Sequence, residues 1–319
     1  MTPDTPDDGR TASDFRAAQD HLLESVGLDV ESRIVDLETP PVRTQVFESG
    51  PPDGDPPMVF VHGTDQFGAF PAPLMAQFDD ERVVGFDRPG YGLSDPFVYT
   101  EANVRRALVD TIEGVVDDLG AEQVDLVGHS MGGHASVRFA LERPERVRRL
   151  VTVGSIPGFP GTAPPFQVRL LTVPVLGRLI QRLQEPSRET VLDVAEIFGE
   201  REAMQERPAL IEAIVAHASD PESAETGFSE FNAVTSIRGW RSSPRLGTDE
   251  LAGLEAPTLM IWGEQDPLGS PADVRDGVAS IPDVRFETVD AGHIPFLAHA
   301  ERCARIVDEF RGAGPAEVG

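Results

Sequence analysis

The chain has 319 residues, 40% of them hydrophobic and 7% aromatic, enough to bury a sizeable core and to exclude wholesale disorder. It carries 54 acidic and 27 basic side chains for a formal net charge of −27, and every basic residue is arginine. So acidic a surface repels nucleic acid and anionic lipid, and the lone cysteine, Cys303, excludes an intrachain disulfide and fits a reducing compartment.

Residues 1–12 are rich in Pro and Asp and read as a disordered tail. The start, Met1 to Asp14, has neither the basic nor the apolar region of a secretory signal. Ser13 is placed to cap a helix through Val26, with Phe15, Ala18 and Leu22 at helical spacing. Arg33–Leu37 and Val42–Glu48 read as strands around Pro40-Pro41, and Ser49–Pro57 as a loop.

Strand and helix signals then alternate. Met58–Val61, Arg82–Phe86, Val124–Val127 and Val147–Val153 read as strands, with helices expected at Pro71–Phe78, Glu101–Leu119 and after Ser130. The second helix is the strongest: Val104, Leu108, Ile112, Val115 and Leu119 share one face, and Gly120 ends it. Strand signals cease over Ile156–Arg245, where Glu189–Phe198, Ala209–His217 and Phe228–Ile237 read as helices. The most apolar run, Val168–Ile180, is broken by Arg169, Pro174 and Arg178, so no membrane span is expected. Alternation resumes with Thr258–Trp262, a helix at Ala272–Ala279, Val284–Val289 and a last helix over Phe296–Phe310.

This order predicts an α/β fold, a mostly parallel sheet with helices on both faces, split as a core of 13–155 and 246–319. The interruption, 156–245, is too long for an ordinary loop and is expected to be an inserted helical cap. In such sheets the chemistry lies at the carboxyl ends of strands.

Gly128-His129-Ser130-Met131-Gly132 is a G-x-S-x-G between an expected strand and an expected helix. The flanking glycines suit a turn too sharp for Cβ atoms, and the turn lifts the Ser130 hydroxyl over a helix N-terminus. A serine hydroxyl needs a base, and in this architecture acid and base follow the serine in that order. Asp266 lies just past Thr258–Trp262 and His293 just past Val284–Val289, so both can converge on Ser130. His293 would take the serine proton while Asp266 fixes its tautomer. Competing candidates are Glu264 for the acid, and His129 or His134 for the base. Asp290 reads as loop scaffold, His299 as exposed, and Cys303 as a buried inert thiol. The Gly-Ser pair after Val147–Val153 offers no acid.

The segments FVHG, DRPGYGLSD, GHSMGG, WGEQD and AGHIPF, in this order, resemble the α/β-hydrolase superfamily over residues 58–155 and 257–310. The resemblance implies an oxyanion hole made by the backbone N–H groups of Thr64 and Met131, with His62 structural and Asp87–Gly92 as scaffold and pocket wall. The His62-Gly63-Thr64 segment departs from the HGGG of many lipases and the HGGPG of proline iminopeptidases. The serine in the elbow, where dehalogenases and epoxide hydrolases use aspartate, speaks against those subclasses.

The implied activity is hydrolysis of a carboxylic ester or related acyl bond through an acyl-serine. Carbon–carbon bond hydrolysis, perhydrolysis, lyase or acyl-transfer chemistry reuse the same site, and a non-catalytic ligand receptor is the rival from outside enzymology. No cofactor and no metal site are expected, since neither H-E-x-x-H nor a suitably placed G-x-G-x-x-G occurs. The expected partner is a small-molecule substrate, and the oligomeric state is left open. Phe159, Phe166, Leu170, Leu171, Phe198, Phe228, Phe231 and Trp240 in the expected cap, with no Tyr and His217 alone, suit an apolar acyl or alkyl group.

The lysine-free, acidic composition points to the cytoplasm of a salt-accumulating cell, with arginine codon bias in a GC-rich genome as the alternative. At about 1 M salt the Debye length falls to roughly 3 Å, which screens most self-repulsion. The thermal midpoint is therefore expected to rise steeply from dilute buffer to about 1 M KCl. A midpoint that stays flat from dilute buffer to multimolar KCl would assign the composition to codon bias.

Overall fold

The computed structural model describes residues 8–52, 56–173, 175, 177–179 and 185–312. It opens with helix α1 (Asp8–Ser25), which starts ahead of the expected Ser13; residues 8–12 of the expected disordered tail are thus helical, and residues 1–7 lie outside the described residues. Strands β1 (Glu31–Leu37) and β2 (Val42–Ser49) form an antiparallel hairpin. Then come β3 (Met58–Val61), α2 (Ala72–Met75), β4 (Val83–Phe86), α3 (Val104–Asp118), β5 (Val124–His129), α4 (Met131–Glu142) and β6 (Val147–Val153). After a helical stretch the core resumes with α10 (Thr248–Leu251), β9 (Thr258–Gly263), α11 (Arg275–Ala279), β10 (Val284–Val289) and α12 (Pro295–Gly312).

The strand order is β1-β2-β4-β3-β5-β6-β9-β10. From β4 to β10 neighbouring strands run parallel, and β2 runs antiparallel to both of its neighbours. The strands near the centre are apolar on both faces because each face carries helices. Val59, Val61, Leu126, Met260 and Trp262 join a core with α3 and α4. The alternate residues Met58, Phe60, Val127, Leu259 and Ile261 join a second core with α1, α2 and α12. The chain thus has the expected α/β architecture, and it brings the exits of β3, β5, β6, β9 and β10 to one edge of the sheet.

The segment between β6 and β9 is built of α5 (Phe166–Arg169), α6 (Arg188–Ile197), α7 (Arg201–Gln205), α8 (Pro208–Ala218) and α9 (Pro221–Val234), with a small hairpin of β7 (Thr235–Ser236) and β8 (Gly239–Trp240). Helix α9 begins seven residues before the expected Phe228 and ends at Val234, three residues before Ile237. Its start has a local cause: the Asp220 side chain accepts from the Ser223 amide at 2.8 Å, and Pro221 takes the first helical position, where no N–H is needed. Of the described residues, no helix is long and apolar enough to cross a membrane.

One buried ion pair ties α9 to the core. Arg88, just past β4, is 1% exposed and Glu230 is fully buried. They form a two-pronged contact whose second arm, Nη2 to Oε2, is 3.0 Å, and Tyr91 donates its hydroxyl to the same Oε2 at 2.6 Å. The other guanidinium hydrogen bond goes to the Gly63 carbonyl at 2.8 Å, on the loop leaving β3. Removing one partner of such a pair leaves a buried charge uncompensated. Glu230→Ala is accordingly expected to lower stability by about 3–5 kcal/mol in denaturant unfolding. Loss of less than about 1 kcal/mol would show that water solvates Arg88 in the variant.

Candidate active site

Ser130 stands at the tip of the turn between β5 and α4 with φ 54 and ψ −118, a backbone conformation that a residue with a Cβ adopts only under strain. Glycine is required on both sides by close approach. A Cβ on Gly132 would stand 2.0 Å from the Val61 carbonyl oxygen, and one on Gly128 would stand 2.5 Å from the Gly132 oxygen and the Ser136 hydroxyl. The same closeness brings the β3 exit alongside the serine: a Cβ on Gly63 would meet the Ser130 Cβ at 3.1 Å. The amides of Thr64 and Met131 donate to no acceptor among the described residues, so both are free to bind an oxygen beside Ser130.

The Ser130 hydroxyl donates to His293 Nε2 at 2.9 Å, and His293 Nδ1 donates to Asp266 Oδ2 at 3.0 Å. The three sequence candidates therefore form one hydrogen-bonded chain, delivered from the exits of β5, β9 and β10. Asp266 is 4% exposed. Burial alone would raise its carboxyl, but the His293 imidazole and the amides of Leu268 and Ser155 outweigh burial and hold it below the ordinary carboxylate range. It stays ionised and keeps the Nδ1 proton on the imidazole.

Three contacts were not foreseen. Ser155, after β6, donates its hydroxyl to Asp266 Oδ1 at 3.0 Å and lies 3.0 Å from His293 Nδ1. In sequence this Gly-Ser pair stands out only for lacking an acid. Phe198 places its ring 5.3 Å from the imidazole, and Glu200, 3% exposed, reaches the loop bearing His293. Both sit between helices α6 and α7, and no short motif announces them.

The rival candidates have other partners. His129 lies 3.1 Å from Gln66 Oε1 and 3.2 Å from the His293 carbonyl, and His134 donates to the Pro157 carbonyl at 3.0 Å. Burial lowers both to about 3, so each is neutral. Burial likewise pushes His62 well down, and its Nε2 accepts from the Arg88 amide at 2.9 Å. Glu264 accepts from the Thr288 hydroxyl at 3.2 Å and Asp290 from Gln265 at 2.8 Å, both away from the imidazole. His299, expected to be exposed, is half-buried at a break in α12 and donates to the Asp290 carbonyl at 2.9 Å. Cys303 is fully buried, and burial pushes its thiol up to about 12. Among the aromatics expected over the site, Phe159 instead packs against Trp262 in the core, and Phe166 is 63% exposed. Among the described residues no group of three or more His, Cys, Asp and Glu is placed to hold a metal ion.

The profile of the "Alpha/beta hydrolase family" matches residues 58–306. A 2-hydroxy-6-oxononadienedioate/2-hydroxy-6-oxononatrienedioate hydrolase of Cupriavidus pinatubonensis is 33% identical over 238 residues, covering 72% of this chain and 76% of that one. A 2-hydroxy-6-oxo-6-phenylhexa-2,4-dienoate hydrolase of Burkholderia cepacia is 30% identical over 239 residues, 73% of this chain and 78% of its own. In fold, a carboxylesterase of Bacillus subtilis superposes with a TM-score of 0.72 at 23% identity, covering 96% of this chain and all of the other.

A serine hydrogen-bonded in this way to an imidazole should be phosphonylated by a fluorophosphonate, its oxygen displacing fluoride from phosphorus. Peptide mapping is expected to find the adduct on Ser130 alone and none in Ser130→Ala, with labelling of His293→Ala at least about 100-fold slower. Equal labelling of native protein and His293→Ala would show that the imidazole does not activate the serine.

Proposed function

The chain belongs to the alpha/beta hydrolase family, and on that premise we propose that it is a serine hydrolase of neutral carboxylic esters working through an acyl-enzyme. The observation that carries this reading is the unbroken run of hydrogen bonds from Ser130 through His293 to Asp266. His293 takes the Ser130 proton as the hydroxyl oxygen attacks the ester carbonyl. The carbonyl oxygen becomes an oxyanion held by the Thr64 and Met131 amides, two donors positioned before the charge develops. As the tetrahedral intermediate collapses, His293 returns the proton to the leaving alcohol. A water molecule, deprotonated by His293, then attacks the acyl-serine and releases the acid. Residues 156–245 serve as a cap that shapes the pocket, with Phe198 its ring at the base.

The relatives at 30–33% identity favour a second reading, hydrolysis of a carbon–carbon bond in a 2-hydroxy-6-oxo-dienoate. The charges around the site weigh against it for this chain. Those substrates carry one or two carboxylates. Arg88, the guanidinium that reaches the Gly63 loop, is already paired with Glu230. Asp65, next to Thr64, adds a further carboxyl, and it is exposed. An anionic substrate passing this loop meets the like charge of Asp65, while Arg88 is already taken by Glu230.

A panel of p-nitrophenyl esters, lactones and dienoate diketones, assayed in molar KCl, decides between the two. The expected result is turnover of neutral esters at least about 10-fold more efficient, in kcat/KM, than of the dienoates, with Ser130→Ala lowering kcat by about 10³ or more. Preferential cleavage of the dienoates would establish the carbon–carbon reading.

A further inference from the structure

Acyl transfer as set out above has no use for Glu200, yet this carboxylate is buried at 3% exposure beside the loop that carries His293. Its Oε1 accepts the Ile294 amide at 2.9 Å, and the Gly292 amide also donates to the carboxylate. His293 lies between these two donors, and its own amide donates to the Phe198 carbonyl at 2.9 Å. The Phe198 ring lies 5.3 Å from the imidazole at an interplanar angle of 31°. The two backbones touch: a Cβ on Gly292 would stand 2.2 Å from the Phe198 oxygen and 2.9 Å from Gly199. Three consecutive residues of the helical segment, Phe198 to Glu200, thus grip three consecutive residues of the β10–α12 loop.

We infer that Glu200 is a positioning residue for His293, holding the imidazole in register with Ser130 only while the helical segment is docked. The inference rests on His293 being the base of the proposed hydrolysis. Two consequences separate positioning from general support. The first is geometric. Of the loop's backbone amides, those of His293 and Ile294 donate to Phe198 and Glu200, while the imidazole and carbonyl of His293 are held by Asp266, Ser155 and His129. Without the carboxylate the imidazole samples poses from which it does not reach the Ser130 proton, which lowers kcat and leaves substrate binding nearly intact. The second is chemical. The titratable groups facing Glu200 are His293 and Asp266, with Cys303 from α12. Burial pushes Glu200 up to about 7, so below that pH the group is largely neutral, and what the loop needs from it is a hydrogen-bond acceptor of the right length more than a charge. An amide in its place should therefore hold the loop nearly as well.

The test compares Glu200→Ala and Glu200→Gln with native enzyme on a p-nitrophenyl ester, together with hydrogen exchange of the segment 290–297. In Glu200→Ala, kcat should fall about 10-fold or more with KM within about 3-fold, and the segment should exchange faster. Glu200→Gln retains an acceptor for the Ile294 amide and should restore kcat to within about 5-fold. A folded Glu200→Ala with native kcat, or a Glu200→Gln no better than Glu200→Ala, would overturn the inference. If Glu200→Ala does not fold, Glu200→Asp, whose shorter side chain withdraws the carboxyl from the Ile294 amide, takes its place with the same expected fall in kcat, and native kcat in it refutes the inference. If native enzyme cleaves no ester and Ser130 resists the fluorophosphonate, the hydrolase reading falls. Exchange at 290–297 then still judges the grip, and unchanged exchange in both variants refutes it.

Discussion

The site depends on one strained residue. Ser130 holds φ 54 and ψ −118, a conformation that costs on the order of 1–3 kcal/mol for a residue with a Cβ. The surrounding backbone makes every alternative worse. The Gly132 Cα packs against the Val61 and His62 carbonyls, and the Gly128 Cα against the first turn of α4, so the turn has no room to relax. That crowding also sets the position of the β3 exit. The Thr64 amide comes beside the serine because Gly63 lies against it, and the Met131 amide is free because a helix leaves its first donors unpaired. The Ser130 hydroxyl and the two unpaired amides are thus placed by the packing of Gly63, Gly128 and Gly132.

The imidazole of His293 is held differently. His293 sits on a loop, and each of its contacts comes from another part of the chain: Asp266 from the β9 exit, Ser155 from the β6 exit, and Phe198 with Glu200 from the helical segment. Arg88 and Glu230 anchor that segment at a second point, again through a buried charge. Buried carboxylates are costly unless hydrogen-bonded, and both Glu200 and Glu230 are. They fix where the helical segment meets the sheet's strand exits, and one of the two meeting points is the loop that carries His293.

What the sequence revealed follows from the range of the interactions involved. Strand Met58–Val61 and the alternation around it were legible because burial on both faces leaves an uninterrupted apolar run. Ser130, Asp266 and His293 were legible because each follows shortly after an expected strand, and the structure brings them together. The roles of Ser155 and Glu200 were not legible. Ser155 matters through partners 111 and 138 residues away and Glu200 through one 94 residues away, and a lone Ser or Glu has no local signature. Helix α9 was misplaced for the opposite reason: the local Asp220-Pro221 start signal was present, but Thr226 and Gly227 obscured its periodicity. The aromatics of the helical segment show the limit of composition. Phe159 and Phe166 share a residue type with Phe198, yet one is in the core and one faces solvent.

The central claim is that Ser130 becomes covalently acylated during turnover. The most direct measurement is rapid-quench mass spectrometry with a p-nitrophenyl ester of a bulky acid, whose acyl-enzyme is slow to hydrolyse. The account predicts a burst of p-nitrophenol equal to the enzyme present, and one acyl group on the peptide that contains Ser130. Steady turnover of that ester with Ser130 unmodified at every quench time would contradict it.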